Sequence, residues 1–437
     1  MEETLFTILK NRGYIYQCTN MDKVQKLLEE DKSFTFYLGI DPTADSLHIG
    51  HFFALMMFRY LQDAGHRGII VIGGATALVG DPSGRSDMRK MLTATQVKAN
   101  IEEVKKLIKN FVKTDGENPA IILDNSTWIN SYNYVDFMRL VGVHFNVNVM
   151  LATESYANRL KEGGLTFLEM GYMLMQAYDF VYLNQEYGCV LQIGGSDQWG
   201  NIVAGTSLYR KMQFLNSGKN SLVKNNSNEN SEVSKIDSEI DNEIDNEIFG
   251  LTCPLLLTKD GRKMGKTASG TLWVARDKTT SFDFYQYFYN VDDGDVEMLL
   301  KLFTTIPLKE IQELCSSDII KAKRTMAFEI TKLVHGKEEA DKALAVAKDL
   351  FSTKTLTSKD IPTSDYKISE SINVLDLFYN SRLVSSKGEA RRLIMQEGAY
   401  IDDKVCNDIN AIITKPIDKD FVLLRKGKKI FLKVYFN

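Results

Sequence analysis

The chain predicts an α/β domain built on a mostly parallel sheet, followed by an α-helical domain and a small α+β domain. Three observations carry this reading. Short apolar runs alternate with helix-length segments from about residue 34 to 258, residues 278 to 350 read as amphipathic helices, and a polar connector, STKTLTSKDIPTSDYK, precedes a last unit that begins near 372. Apolar runs of strand length, separated by helix-length segments, are what a parallel sheet covered on both faces requires.

The strand candidates are FTFYLGI (34–40), GIIVIGG (68–74), AIILDN (120–125), GCVLQIGG (188–195) and LTCPLLL (251–257). After the first comes a turn at Asp41-Pro42, then Asp45 or Ser46 as the N-cap of an apolar helix. YMLMQAYDF places Tyr172, Gln176 and Asp179 at i, i+4 and i+7, on one helix stripe. Residues 214–249 hold eight Asp/Glu against three Lys and end in IDSEIDNEIDNEI, which predicts a low-complexity, disordered surface insertion. DVEMLLKLFTTI and EEADKALAVAKDLF predict helices beyond it. In the tail, Ser386 and Glu389 predict a capping box for SSKGEARRLIMQEG, and FVLLRKGKKIFLKVYF predicts a hairpin. The expected domains are 1–270, 271–365 and 366–437.

At 437 residues the chain is too long for one ordinary core, and 44% hydrophobic with 25% charged residues is the composition of a globular protein. A net charge of −4 excludes a global nucleic-acid signature, yet residues 372–437 carry twelve Lys/Arg against eight Asp/Glu, a local basic patch. The five cysteines stand far apart with no C-x-x-C pair, which argues against a zinc ribbon or a disulfide framework and for a reducing cytoplasm. The N-terminus is acidic where an export signal is basic, and no segment approaches a membrane span.

The stretch ADSLHIGHFFALMMFRYL sets His48 and His51 three apart around Gly50. A metal site needs three or four ligands, there is no H-E-x-x-H, and His66, His144 and His335 are isolated. Two histidines filling a helix start is the plain reading. Their place after a strand and at a helix N-terminus instead predicts an anion site, where free N–H groups and two imidazoles face one spot and Gly50 lets a flat ligand approach the backbone. Lys263 and Lys266 sit in KDGRKMGK, which alone reads as a solvated basic turn. LQIGGSDQWGN puts two glycines, then Asp197 and Gln198, at the carboxyl end of a strand, where such folds bind ligands.

HIGH resembles the nucleotide-binding signature of class I aminoacyl-tRNA synthetases. RKMGKT at 262–267 resembles their lysine loop, usually written KMSKS, with Gly265 and Thr267 at the two serine places. YLGIDPTADSLHIGH, GGATALVGDPSGR, YMLMQAYDF and LQIGGSDQWGN narrow the resemblance to bacterial-type tyrosyl-tRNA synthetases, over nearly the whole chain apart from 214–249. The tryptophanyl relatives and a non-catalytic RNA-binding paralogue are the alternatives.

The resemblance implies a Rossmann-like catalytic sheet, ATP as substrate with Mg²⁺, no dedicated protein metal site, and L-tyrosine and tRNA(Tyr) as partners of a cytoplasmic homodimer without membrane contact. Tyr37 and Asp179 would hold the phenol, and Asp81, Tyr172 and Gln176 the ammonium, with Gln198 also on tyrosine. A site that hydrogen-bonds a hydroxyl rejects the analogue lacking it, a rule for which this family is the usual illustration. Gly39, Asp41, Gly50, Gly195 and Asp197 would seat the nucleotide together with His48, His51 and Lys266. Thr43 and His48 would act as donors to the phosphates, with Lys263, Lys266 and Thr267 closing over them and Arg85 and Arg89 assisting. The tail resembles a ribosomal-protein-type RNA-binding domain, with Lys387, Arg391, Arg392, Lys426 and Lys428 facing RNA.

Overall fold

The structure, a computed structural model, describes residues 3–83, 91–216, 247–259, 261, 263–267, 270–351, 362–402, 404–417, 419–427 and 430–436. Arg85, Arg89, Lys428 and residues 217–246 of the predicted insertion lie outside the described residues.

All five predicted strands form, and with a short sixth they build one sheet: β1 (Gln17–Cys18), β2 (Thr35–Ile40), β3 (Arg67–Ile72), β4 (Ile121–Asp124), β5 (Cys189–Gly195) and β6 (Phe249–Cys253). The order is β1-β6-β5-β2-β3-β4, parallel except for the β1 edge, which runs antiparallel to β6. Two residues carry no readable periodicity, so β1 has no sequence signal. The fifth predicted strand is shifted: it starts at Phe249 and stops at Cys253, because Pro254 lacks the N–H that a ladder needs.

Both faces of the sheet are covered, which is why its strands read as unbroken apolar runs. Tyr37 joins Ile69, Val71 and Phe180 in the core on one face. Its neighbour Phe36 points the other way, onto Phe58 of the helix Ile49–Asp63, ring centroids 4.8 Å apart. That helix lies so close to β3 that a Cβ on Gly68 would come within 2.2 Å of Phe58 Cζ, so the strand carries a bare α-carbon there. The chain runs outward through β3 and β4, then returns to β5 and β6 on the other side of β2. The switch point therefore lies between β2 and β5, where α/β sheets open a crevice at the strands' carboxyl ends.

The chain divides into two compact units. The first is Met1–Ala275 with Met298–Leu308, the second Arg276–Glu297 with Lys309–Asn437. Residues 298–308 belong to the first unit because buried Arg12 donates to the carbonyls of Lys301, Thr304 and Ile306 at 3.0, 2.7 and 2.8 Å. Those carbonyls lie at and just beyond the end of the helix Val296–Phe303, where helical carbonyls run out of intrahelical donors, and Tyr60 Oη also donates to Thr304 O at 3.3 Å. Phe303 also stacks on Phe52 at 4.9 Å.

In the second unit, helices Ser281–Tyr289, Ile319–His335 and Lys337–Phe351 pack against one another, and Phe284, Phe288, Met326 and Ile330 of the first two are fully buried. Its C-terminal part has a separate core of Val374, Phe378, Ile394, Val422, Leu424 and Val434 between two helices and a four-stranded antiparallel sheet. The predicted hairpin is there, pairing Phe421–Lys426 with Ile430–Tyr435. Among the described residues no helix is long and apolar enough to cross a membrane.

Candidate active site

A cavity of about 790 Å³ opens at the carboxyl ends of β2 and β5. Its walls include Tyr37, Gly39, Asp41, Thr43, His48, Gly50 and His51 from β2 and the segment after it. Asp81, Tyr172, Gln176 and Asp179 line it as well, as do Gly195, Asp197, Gln198 and Lys263. These residues come from distant parts of the chain, and the sheet's reversal between β2 and β5 is what gathers them.

The histidines are built into the start of the helix. His48, with φ −107° and ψ 172°, is the N-cap, which corrects the expected cap at Asp45 or Ser46. Its Nδ1 accepts the Gly50 N–H at 3.1 Å, and His51 Nδ1 accepts the His48 N–H at 3.4 Å. The rings stack 3.8 Å apart at 16°. The expectation of free N–H groups is corrected too, since the imidazoles take two of them. With Nδ1 an acceptor in each ring, the proton of a neutral imidazole here sits on Nε2. Gly50 has a local reason as well: a Cβ would press to 3.1 Å from the His48 ring.

The lysine segment is stitched to the same helix start. Leu257 bridges Lys263, Met264 N–H donates to Leu256 O at 2.8 Å, and Lys266–Thr267 pairs with Gly270–Thr271. Downstream, Trp273 bridges His48, Val274 N–H donates to Leu47 O at 2.8 Å, and Ala275 N–H donates to Ser46 Oγ at 3.2 Å. The two motifs, more than two hundred residues apart in sequence, thus share a backbone seam. Lys263 is exposed and lines the cavity. The side chains of Lys266 and Thr267 fall outside the described residues.

At the closed end, Asp179 is 4% exposed and accepts from Trp128 Nε1 at 2.8 Å and Asn125 Nδ2 at 3.1 Å. Burial pushes its carboxyl up to about 7; the two donors oppose the rise, and the nearby Asp41 charge adds to it. The Tyr37 hydroxyl is buried without a hydrogen-bond partner, and burial followed by Asp179 raises its pKa, so it stays protonated. Gln176 Oε1 and Gln192 Oε1 are buried and unmatched on the same cavity. Buried polar atoms without partners are costly, and a cluster of them in one cavity fits a polar ligand that completes them.

Other polar groups in the walls are already engaged. Asp41 accepts from Tyr172 Oη at 2.9 Å and Thr76 Oγ1 at 2.7 Å. Asp81 accepts from Gln198 Nε2 at 2.7 Å and the Ser83 N–H at 2.9 Å. Sequence reasoning missed Thr76, Asn125, Trp128 and Gln192. Gln192 alone had a signal, as a polar residue inside an otherwise apolar buried strand.

In the C-terminal part, Arg391 and Arg392 are exposed on the helix Lys387–Met395. Lys387 is paired with Asp376, and Lys426 with Glu389 at 2.6 Å. The predicted capping box is half formed: Ser386 Oγ accepts the Glu389 N–H at 3.1 Å. The Glu389 carboxylate turns instead to the Ser385 N–H at 2.8 Å and to Lys426. Those bonds, Lys426 first, hold its pKa at about 2.

The site thus joins a switch-point cavity to a histidine-capped helix and a lysine hairpin. Residues 29–352 match the family model of tRNA synthetases class I (W and Y). Residues 353–434 match that of the tyrosine–tRNA ligase SYY-like C-terminal domain. The chain is 43% identical to the tyrosine–tRNA ligase of Acetivibrio thermocellus over 438 residues, covering 99% of each chain. It is 42% identical to that of Clostridium tetani over 439 residues, with the same coverage. The chain belongs to the tyrosine–tRNA ligase family.

Among solved structures, a C-terminally truncated mitochondrial tyrosyl-tRNA synthetase of Aspergillus nidulans is 30% identical with a TM-score of 0.65, covering 80% of this chain and 95% of that one. The tyrosyl-tRNA synthetase of Archaeoglobus fulgidus, complexed with L-tyrosine, is 18% identical with a TM-score of 0.54, covering 78% of this chain and 100% of that one. At that identity it shares the fold.

Proposed function

We propose that the chain activates L-tyrosine with ATP and passes the tyrosyl group to the 3′ end of tRNA(Tyr). The observation that carries the reading is the closed end of the cavity, where a partnerless Tyr37 hydroxyl and the Asp179 carboxyl are both buried. A donor and an acceptor so placed select a phenol over a phenyl ring. Asp81, Tyr172 and Gln176 take the ammonium, and Gln198 contacts the amino acid.

The tyrosine carboxylate attacks the α-phosphorus in line; the new bond is carboxyl oxygen to phosphorus, and pyrophosphate leaves with the electrons of the broken bond. A carboxylate ionised at neutral pH needs no general base, so the protein's task is positioning and charge stabilisation. Thr43, His48 and His51 donate at the phosphates, and Lys263, Lys266 and Thr267 act from the hairpin with Arg85 and Arg89. Gly39, Asp41, Gly50, Gly195 and Asp197 line the nucleotide's side. Mg²⁺ arrives with ATP, held mainly by its phosphates.

The C-terminal part binds tRNA, with Arg391, Arg392 and Lys428 meeting phosphates and Lys387 and Lys426 exchanging intramolecular partners for RNA. A cytoplasmic homodimer is the working form. Exposed Tyr134, Val143, Val147, Val149 and Phe167 support self-association, since this much exposed apolar surface in one stretch of chain is costly in water.

The test is amino-acid-dependent ATP–pyrophosphate exchange. Exchange driven by tyrosine, and by neither tryptophan nor phenylalanine, is expected; exchange driven by tryptophan alone, or none at all, defeats the proposal.

A further inference from the structure

We infer that Gly265 and Ile49 form the contact that sets the lysine hairpin in register with the histidine-capped helix, making them positioning residues for adenylate formation. The inference rests on the reading of the site given above.

Gly265 has φ +84°, a left-handed conformation that a residue with a side chain adopts at a cost. A Cβ there would lie 2.3 Å from Ile49 Cγ2, far inside any real contact, whereas Ile49 Cβ would stand at an ordinary 3.5 Å. The α-carbon of residue 265 thus rests on one methyl branch of the residue that follows His48. Ile49 is 2% exposed and Met264 7%, so neither has room to swing aside into solvent.

The hairpin is held on both sides of this point. Met264 N–H donates to Leu256 O at 2.8 Å and Leu272 N–H to Gly265 O at 2.7 Å, while Trp273 bridges His48. These bonds set the direction of the strand. How near it comes to the helix is set by the packing of Gly265 on Ile49.

Lys263 and Lys266 flank the glycine, and His48 precedes the isoleucine, so one van der Waals contact holds two groups of phosphate donors at a set separation. A side chain at 265 displaces the hairpin by about 1 Å, and a misplacement of that size costs about 10²-fold in rate.

Gly265→Ala and the pair Ile49→Ala/Gly265→Ala test this in the full chain, by single-turnover formation of tyrosyl-adenylate and by equilibrium binding of tyrosine. Gly265→Ala is expected to slow adenylate formation about 10²-fold with tyrosine affinity intact. Ile49→Ala removes the obstructing methyl, so the double variant recovers most of that loss and keeps a roughly tenfold deficit from the left-handed backbone. An undiminished rate in Gly265→Ala overturns the inference. So does a double variant no faster than the single one, or a loss of tyrosine affinity that follows the rate. If the unaltered chain forms no tyrosyl-adenylate, the proposed function falls, and this positioning role with it.

Discussion

Trp128 donates its indole N–H to Asp179 Oδ1 at 2.8 Å, across 51 residues of sequence and with both side chains buried. The bond partly offsets the burial that lifts the Asp179 pKa to about 7. Removing it in Trp128→Phe leaves burial less opposed, and the carboxyl titrates at still higher pH. The kcat/KM for tyrosine in pyrophosphate exchange should then fall on the acid side, with a midpoint near 7 in the unaltered chain and displaced upward in the variant. A profile flat from pH 6 to 8 in both proteins contradicts the role given to Asp179.

The same carboxyl has a consequence for stability. Its folded pKa is raised above the unfolded value near 3.9, so its contribution worsens as pH climbs from about 4 to 7 and is fully unfavourable above that. Asp179→Asn should therefore be more heat-resistant than the unaltered chain at pH 8, by a few kcal/mol at most, while losing preference for tyrosine over phenylalanine. Thermal melts at pH 5 and pH 8 with competitive exchange kinetics check both halves; equal melting shifts at the two pH values count against the titration argument.

Tyr37→Phe removes a hydroxyl that has no partner in the free protein. Folding stability should hold or rise slightly, because no hydrogen bond is lost. Discrimination against phenylalanine should drop by about tenfold, the order of one hydrogen bond to a buried hydroxyl. Unchanged relative kcat/KM values for the two amino acids rule out the pocket assignment.

His66 is 4% exposed, stacks on Phe34 at 3.8 Å, and is held by burial at a pKa of about 4. A base whose folded pKa is depressed costs stability as pH falls from its unfolded value near 6.5 toward 4, because the unfolded chain binds the proton first. At pH 5 the cost is about 2 kcal/mol, and His66→Phe should abolish that share of acid sensitivity. Urea melts at pH 5 and pH 8 measure it; equal acid sensitivity in variant and parent tells against a buried neutral imidazole.

The C-terminal part has its own core, so ending the chain after Phe351 should leave pyrophosphate exchange close to that of the full chain. Charging of tRNA should fall steeply. Full charging by the shortened chain removes RNA binding from the role of the tail.

Five strands of the sheet and the helices that matter were legible because each declares itself locally, through an apolar run of strand length or a stripe at helical spacing. The two-residue edge strand was not, since no period can be read from Gln17 and Cys18. Pro254 ended β6 where its apolar neighbours suggested continuation, a case of backbone chemistry overriding pattern. The N-cap was misplaced because Asp and Ser are the usual caps, whereas here imidazoles from two histidines satisfy the helix N-terminus.

By itself the sequence determined the α/β sheet and the helical and basic units that follow, because these depend on spacing and composition along the chain. The residues expected around a triphosphate and a phenol came instead from the resemblance of its motifs to a known family. Only the tertiary structure decided that Trp128 and Asn125 brace Asp179, that Gln192 turns into the cavity, and that Gly265 rests on Ile49. Those relations join residues tens to hundreds of positions apart. They exist because a parallel sheet that reverses at β2 and β5 brings remote strand ends together, and burial there sets the ionisation and hydrogen bonding that no local pattern records.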